Sequence, residues 1–175
     1  CDMKGGLRDI SIPHDGQVVL ADSEGYILSS FEVQKTVRTD GDRTMVFPLL
    51  QYSILDADGN VLLDELDDVY NDTLGGSLMF FDGEAAVRSG STEVYVPDGP
   101  WPAIFYNAPY RFIDRSGKEI AQQKLDSLSY NRFNSRWFGT RDDKDYLLDG
   151  HGGESVIPYN WFEPSQWAEE AVQQA

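Results

Sequence analysis

The stretch "YSILDADGNVLL" at residues 52–63 returns in altered form as "YRFIDRSGKEIA" at residues 110–121. In both copies a tyrosine begins an apolar stretch, an aspartate ends it, and a glycine follows three residues later. The aligned pairs are Tyr52 and Tyr110, Asp56 and Asp114, and Gly59 and Gly117. Aspartate can accept hydrogen bonds from the backbone two residues on, and glycine supplies a positive φ. Each copy therefore predicts a β-hairpin turn between two strands.

Two fainter copies flank these, "VVLADSEGYIL" at 18–28 and "YLLDGHGGESVI" at 146–157. Their glycines, at positions 25, 59, 117 and 152, are separated by 34, 58 and 35 residues. The longest gap fits two units of about 29 residues each, with the missing turn at Gly90. The repeats predict an all-β fold of antiparallel β-hairpins in one curved or rolled sheet.

The length of 175 residues predicts one folded unit. We expect residues 1–10 to be a tether and residues 11–175 to form a single β-rich domain. A short C-terminal helix is expected over 164–175, because Pro164 suits a first helical turn. The apolar residues that would share one face of that helix are Trp167, Ala168, Ala171 and Val172.

The acidic spacing in "DADGNVLLDELD" at 56–67 first resembles a calcium loop. Asp56, Asp58 and Asn60 have the spacing of the first EF-hand ligands. An EF-hand loop also needs glycine at its sixth position and glutamate at its twelfth, and these positions hold Val61 and Asp67. The sequence therefore predicts a hairpin turn here, with no bound metal and no cofactor.

The charge of the chain is strongly negative and unevenly distributed. Thirty acidic against fourteen basic residues give a net charge of −16, which argues against nucleic acid as a partner and favours a basic protein. Between Thr44 and Val87 there are nine acidic residues and no lysine or arginine. The candidate acidic contacts for a partner are Asp64, Glu65, Asp67, Asp68 and Asp72.

The only cysteine is residue 1. A chain that begins at cysteine resembles a mature bacterial lipoprotein cut before its lipid-bearing residue. The alternative is that the sequence merely happens to begin at this cysteine, which then carries no lipid. The first interpretation predicts acyl chains on Cys1, a periplasmic location and membrane contact only through that anchor.

Three segments resemble the WG (or KWG) repeat family of bacterial proteins. They are "FFDGEAAVRSGSTEVYV" at 80–96, "YRFIDRSGKEI" at 110–120 and "DYLLDGHGGESVIPYNWFE" at 145–163. The second and third carry the family's aspartate–glycine hairpin, the third also its Val-Ile-Pro run and aromatic–acid pair, and the first its Gly-x-Ala-x-Val strand. The Trp-Gly pair that names the family is absent. The resemblance implies a binding module without a common catalytic activity. Some family members are lipoproteins that act as immunity proteins against secreted antibacterial toxins, including phospholipase-D-type effectors.

The residues that could support catalysis are few. The two histidines, His14 and His151, lie in turn-like segments. They are too few and too far apart in the sequence to predict a zinc site, and Cys1 is the only cysteine that could act as a nucleophile. Adjacent carboxylates such as Asp67 and Asp68 would point to opposite faces of a strand. We therefore expect the protein not to be an enzyme.

The segment "GPWPAIFYNAPY" at 99–110 has three prolines, which favour an irregular loop. Trp101 and Tyr106 on such a loop are candidate anchors for a partner. These observations predict an immunity protein that occludes the basic active-site cleft of a secreted toxin, with a phospholipase-type toxin favoured. The alternatives are a structural or envelope-assembly lipoprotein and a hydrolase that uses paired carboxylates.

Overall fold

The computed structural model describes residues 9–38, 44–71, 79–90, 92–95, 103–132, 135–149, 151–153 and 155–159. These residues form one short 3₁₀ turn at Pro13–Asp15 and fourteen strands. The strands are β1 (Gln17–Ala21), β2 (Ile27–Arg38), β3 (Thr44–Leu55), β4 (Val61–Leu66), β5 (Asp68–Val69), β6 (Glu84–Arg88), β7 (Thr92–Tyr95), β8 (Ala103–Tyr106), β9 (Tyr110–Asp114), β10 (Glu119–Gln123), β11 (Ser127–Asn131), β12 (Arg136–Arg141), β13 (Lys144–Leu148) and β14 (Ser155–Tyr159). The described part of the chain is thus all-β, as the repeats predict. It contains no helix of the length and apolar character that crossing a membrane requires.

The strands are arranged as three antiparallel sheets of four strands each and one two-stranded hairpin. The first sheet has the order β1-β2-β3-β4, the second β10-β9-β6-β5 and the third β11-β12-β13-β14. The β7–β8 hairpin is inserted between β6 and β9 in the chain. The described strands therefore do not form the single curved or rolled sheet that we expected.

The second sheet lies between the other two. Successive side chains of a strand point to opposite faces, and all five residues of β6 are buried. On one face Ala85 and Val87 join a core cluster with Leu28 of the first sheet. On the other face Ala86 joins a cluster with Trp137 of the third sheet. A central strand that is buried on both faces thus holds the three layers together.

The four Asp-x-x-Gly turns, which begin at Asp22, Asp56, Asp114 and Asp149, have the same geometry. In each, the aspartate Oδ1 accepts the backbone N–H groups two and four residues later, at 2.8–3.1 Å. The glycine N–H donates to the aspartate carbonyl at 2.9–3.1 Å, and the glycine φ lies between 62° and 94°. The turns join β1 to β2, β3 to β4, β9 to β10 and β13 to β14. The hairpin repeat is therefore confirmed at these four positions.

Two features explain why the hairpins separate into three sheets. Strand β4 leaves β3 after Leu66, and the chain continues as β5, which pairs with β6 in the second sheet. Gly90, where we placed the missing turn, has a φ of 95° but leads from β6 into the separate β7–β8 hairpin. The expected helix at 164–175 lies outside the described residues, as do residues 1–8 of the expected tether.

The β2–β3 hairpin is much longer than its neighbours. The two strands pair along their whole length, from Ile27 and Leu55 to Arg38 and Thr44. Strand β1 pairs with β2 only up to Ser30, and β4 pairs with β3 only up to Tyr52. Residues 31–38 and 44–51 therefore form a two-stranded projection, which we call the arm.

Candidate functional site

A groove of about 830 Å³ runs along the arm. Its walls are arm residues 33–35 and 48–51 together with Tyr52, the end of β4, the corner at Ser89 and Gly90, and Tyr106. The charged side chains that line it are Asp64, Glu65, Asp67 and Lys35. Three carboxylates against one ammonium give the groove an acidic character.

A β-bulge at Glu65 shapes one wall of the groove. The register between β3 and β4 shifts between the pairs Tyr52–Leu66 and Ile54–Leu63. Glu65 lies in this shift with a φ of 53°. This left-handed conformation is energetically unfavourable for a residue that has a side chain. Bulges bend a strand and redirect its side chains. The Glu65 carboxylate has no hydrogen-bond partner among the described residues, so it is the carboxylate most open to a ligand.

Asp64 is fixed by its neighbours. Its Oδ1 accepts the Ser53 hydroxyl at 2.6 Å and the Glu65 N–H at 2.9 Å, and its Oδ2 lies 2.9 Å from His14 Nε2. Burial opposes ionisation of this carboxyl, but the hydrogen bonds from Ser53, His14 and the Glu65 N–H outweigh that effect and lower the pKa of Asp64. Asp64 therefore carries its negative charge at neutral pH.

The arrangement of Ser53, Asp64 and His14 does not suit nucleophilic catalysis. An activating histidine must lie between the serine and the acid, because it takes the serine proton. Here the aspartate lies in the middle, and the Ser53 side chain is fully buried. His14 instead stacks on Phe31 at 4.1 Å between ring centroids, which fixes the base of the arm.

Asp67 joins the arm to the second sheet. Its Oδ1 accepts the Gln51 side-chain amide at 3.2 Å, and its Oδ2 accepts the Gly90 N–H at 2.8 Å. These bonds hold the carboxylate at the point where β4 leaves β3. Since each carboxylate oxygen has two lone pairs, Asp67 can still accept a donor from a ligand.

Asp68, the next residue, belongs to a half-buried layer that does not line the groove. Burial raises the pKa of Asp68, and the nearby Arg88 guanidinium only partly offsets this. Arg88 donates to the carbonyls of Leu125 at 2.8 Å and Tyr106 at 3.4 Å, and it stacks 3.6 Å from the centre of the Tyr110 ring. Arg88 thereby fixes the backbone of Tyr106 beside the groove.

Two tyrosines complete the lining. Burial, followed by the negative charge of Asp68, raises the pKa of both Tyr52 and Tyr106. Both phenols therefore stay neutral at physiological pH and can donate a hydrogen bond. Tyr106 is 37% exposed, which makes it available to a partner.

Four of the sequence-predicted contact residues thus lie around one groove, namely Asp64, Glu65, Asp67 and Tyr106. Of the other predicted residues only Asp68 is described, and it is not among the lining residues. Asp68 is half-buried nearby, whereas Cys1, Asp72 and Trp101 lie outside the described residues.

The other suggestive side chains have local roles. His151 Nδ1 lies 3.0 Å from Glu84 Oε1 and connects the fourth turn to the second sheet. Asp142 and Asp143, an adjacent carboxylate pair, have φ values of 52° and 57° and form the tight turn between β12 and β13. Among the described residues no group of three histidine, cysteine or acidic side chains is placed to hold a metal ion.

The arm itself was not predicted as part of the site. One signal for it was present in the sequence, because Pro48 interrupts an apolar stretch that otherwise reads as a central strand. Proline in a sheet is confined mainly to edges and bulges. Pro48 therefore marked β3 as a strand with an open edge.

Fold and site together define an all-β protein of stacked antiparallel sheets with an acidic groove beside a projecting hairpin. No protein-family model, no curated protein sequence and no solved structure matches this chain.

Proposed function

We propose that this protein is a binding module that inhibits a secreted antibacterial toxin by occluding a positively charged active-site cleft. The observation that carries the proposal is the convergence of Asp64, Glu65 and Asp67 on one groove. Enzymes that act on phosphate esters need a positive cleft, and fixed carboxylates can take the place of the substrate anion there. A phospholipase-type toxin is favoured by the resemblance to the WG repeat family.

The carboxylates are arranged in advance for such a role. The hydrogen bonds to Asp64 and Asp67 fix both side chains before a partner arrives, so binding loses little side-chain entropy there. Glu65 and the neutral phenol of Tyr106 supply a free charge and an aromatic contact. Aromatic side chains beside charged groups are typical of the residues that dominate interface energetics.

A capture experiment followed by an activity assay tests the proposal. The wild type and the triple variant Asp64→Asn, Glu65→Gln, Asp67→Asn are used as bait against an extract of the native organism. We expect the wild type to retain a basic protein that the triple variant loses, and the enzymatic activity of that protein to fall to zero at a one-to-one ratio.

The control bait is the triple variant Asp82→Asn, Glu119→Gln, Asp143→Asn. It removes the same three charges at exposed positions that do not line the groove. A partner that remains fully active when bound would contradict inhibition and favour a structural role. Loss of binding by both triple variants would show that net charge, and not the groove, attracts the partner.

A further inference from the structure

We infer that the partner enters the groove as an extended basic segment that adds a strand to the open edge of β3. This inference rests on the proposed function and specifies how the groove binds. Extended peptides commonly bind by pairing with an exposed sheet edge, where backbone hydrogen bonds give affinity and side chains give specificity.

The first support is the open edge. Strand β3 pairs with β2 on one side along its whole length, but with β4 only at Tyr52, Ile54 and Leu55. Beyond Tyr52 no described strand pairs with the outer side of β3. The bulge at Glu65 and the departure of the chain into β5 open this edge.

The second support is the way in which β3 lines the groove. Residues 48–52 of β3 line the groove from Pro48, within the stretch that β4 leaves unpaired, to Tyr52, where the pairing with β4 begins. The groove therefore lies alongside the part of β3 whose outer edge is open.

The third support is the position of Pro48, which pairs with Gln34 of β2. Since proline has no N–H, it fits a paired strand where its nitrogen points away from the partner. The backbone groups of residues two positions away point in the same direction as those of Pro48. Val46 and Leu50 therefore present their N–H and C=O groups to the open edge.

Charge and exposure favour a basic protein segment over a second copy of this chain. Lysine or arginine on an added strand would meet Asp64, Glu65 and Asp67, while its intervening residues would cover Leu50, which is 55% exposed. Two copies, each with a net charge of −16, would repel each other. The occupant is therefore an extended segment in which basic residues alternate with small or apolar ones.

The test uses a nine-residue peptide of alternating lysine and threonine with blocked ends, and two derivatives of it. One derivative is N-methylated at every threonine and the other at every lysine, so each lacks the donors of one edge but keeps every charge. Calorimetry on the wild-type protein should show that one derivative binds about tenfold or more weakly, because it loses several backbone hydrogen bonds.

A matched pair of protein variants gives an independent readout. Leu50→Pro removes an N–H that points to the open edge and leaves the β2–β3 hydrogen bonds intact. It should lower the affinity for the unmodified peptide about tenfold. Leu50→Thr removes the same apolar side chain but keeps the N–H, and should bind more tightly than Leu50→Pro. Urea denaturation checks that both variants fold. If Leu50→Pro does not fold, the methylated peptides alone test strand addition.

The outcomes separate this inference from the proposed function. Suppose that both methylated peptides bind the wild type as tightly as the parent peptide does, while the variant Asp64→Asn, Glu65→Gln, Asp67→Asn binds the parent peptide weakly. Strand addition would then be wrong, but the acidic groove would remain the binding site. If the parent peptide binds that variant as well as the wild type, or does not bind at all, the groove is not the site and both ideas are overturned. A dimer that Leu50→Pro dissociates would assign the edge to a second copy and overturn the basic-segment proposal.

Discussion

Glu65 combines a charge with an unfavourable backbone conformation. Its φ of 53° lies in the left-handed region, which glycine adopts without strain but which strains residues with a side chain. Bulges of this kind often place glycine at the left-handed position. A glutamate kept there contributes to the groove at some cost in stability, a pattern seen at many functional sites.

Replacing Glu65 by glycine should therefore separate stability from binding. We expect Glu65→Gly to raise the free energy of unfolding by about 0.5–1 kcal/mol, because it relieves the strain. The same change should weaken binding of a basic partner. Urea denaturation and calorimetry measure the two effects.

Asp82 provides a control, because it has the same φ of 53° and does not line the groove. Asp82→Gly should stabilise the fold less, because aspartate tolerates the left-handed region better than glutamate, and should leave binding unchanged. If Glu65→Gly destabilises the fold, the bulge is not strained as we describe.

Glu84 predicts a pH dependence of stability. Burial raises its pKa above the ordinary value of 4.5, and the hydrogen bond to His151 only partly offsets this. Because the folded chain holds this proton more tightly than the unfolded chain, the stabilisation from Glu84 is complete below pH 4.5 and is lost as the pH rises through the folded-state pKa.

The wild type should therefore gain stability relative to Glu84→Gln as the pH falls from neutral to 4.5. Urea denaturation of both proteins across this range gives the difference in the free energy of unfolding. Parallel pH curves for the two proteins would show that burial of Glu84 does not govern its ionisation.

At the scale of elements, the four turns have the same hydrogen bonds but very different surroundings. A Cβ at Gly152 would come within 2.4 Å of Phe112 and 2.7 Å of Trp137. The Trp137 ring is fully buried and packs edge-on against Phe112, so neither ring can move aside cheaply. Gly152 is therefore required both for its φ of 62° and for the close approach of the turn to the core.

Comparison of Gly152→Ala with Gly83→Ala isolates the packing effect. Gly83 has a φ of 89°, but a Cβ there would meet no described atom within 4 Å beyond its chain neighbours. We expect Gly83→Ala to lower the free energy of unfolding by about 1 kcal/mol through backbone strain alone. Gly152→Ala should lower it by about 3 kcal/mol or more. Thermal or urea denaturation measures both, and equal costs would contradict the packing role of Gly152.

The sequence predicted the local elements well, because each hairpin turn is encoded by residues within one short segment. Asp56 and Gly59 belong to the same turn, so their spacing alone reveals it. The division into three sheets depends on Leu66 ending one pairing and Asp68 beginning another, which no local pattern shows. The acidic wall could be predicted as a charge run, and Pro48 was a signal for the open edge of β3. That the arm faces the acidic wall could not be predicted, since the two are brought together only by the bulge and the long β2–β3 pairing.

At the scale of the whole molecule, the net charge and the groove have separable effects. A charge of −16 attracts any cation from a distance, and this attraction weakens as salt screens it. The groove adds a local attraction that acts when the partner is close. The matched triple variants, one in the groove and one outside it, have the same net charge of −13, since each removes three charges from −16.

The association kinetics of the partner that the wild type captures should distinguish these effects. For Asp64→Asn, Glu65→Gln, Asp67→Asn we expect the association rate constant at low salt to fall about tenfold, because the steering charges next to the site are gone. For Asp82→Asn, Glu119→Gln, Asp143→Asn the fall should be much smaller. Raising the salt to physiological strength should slow the wild type more than the groove variant, since screening acts on charges that the groove variant has already lost. Stopped-flow measurements over a salt series give the rate constants of all three proteins. Identical salt dependence for the two triple variants would show that the groove plays no special part in attracting the partner.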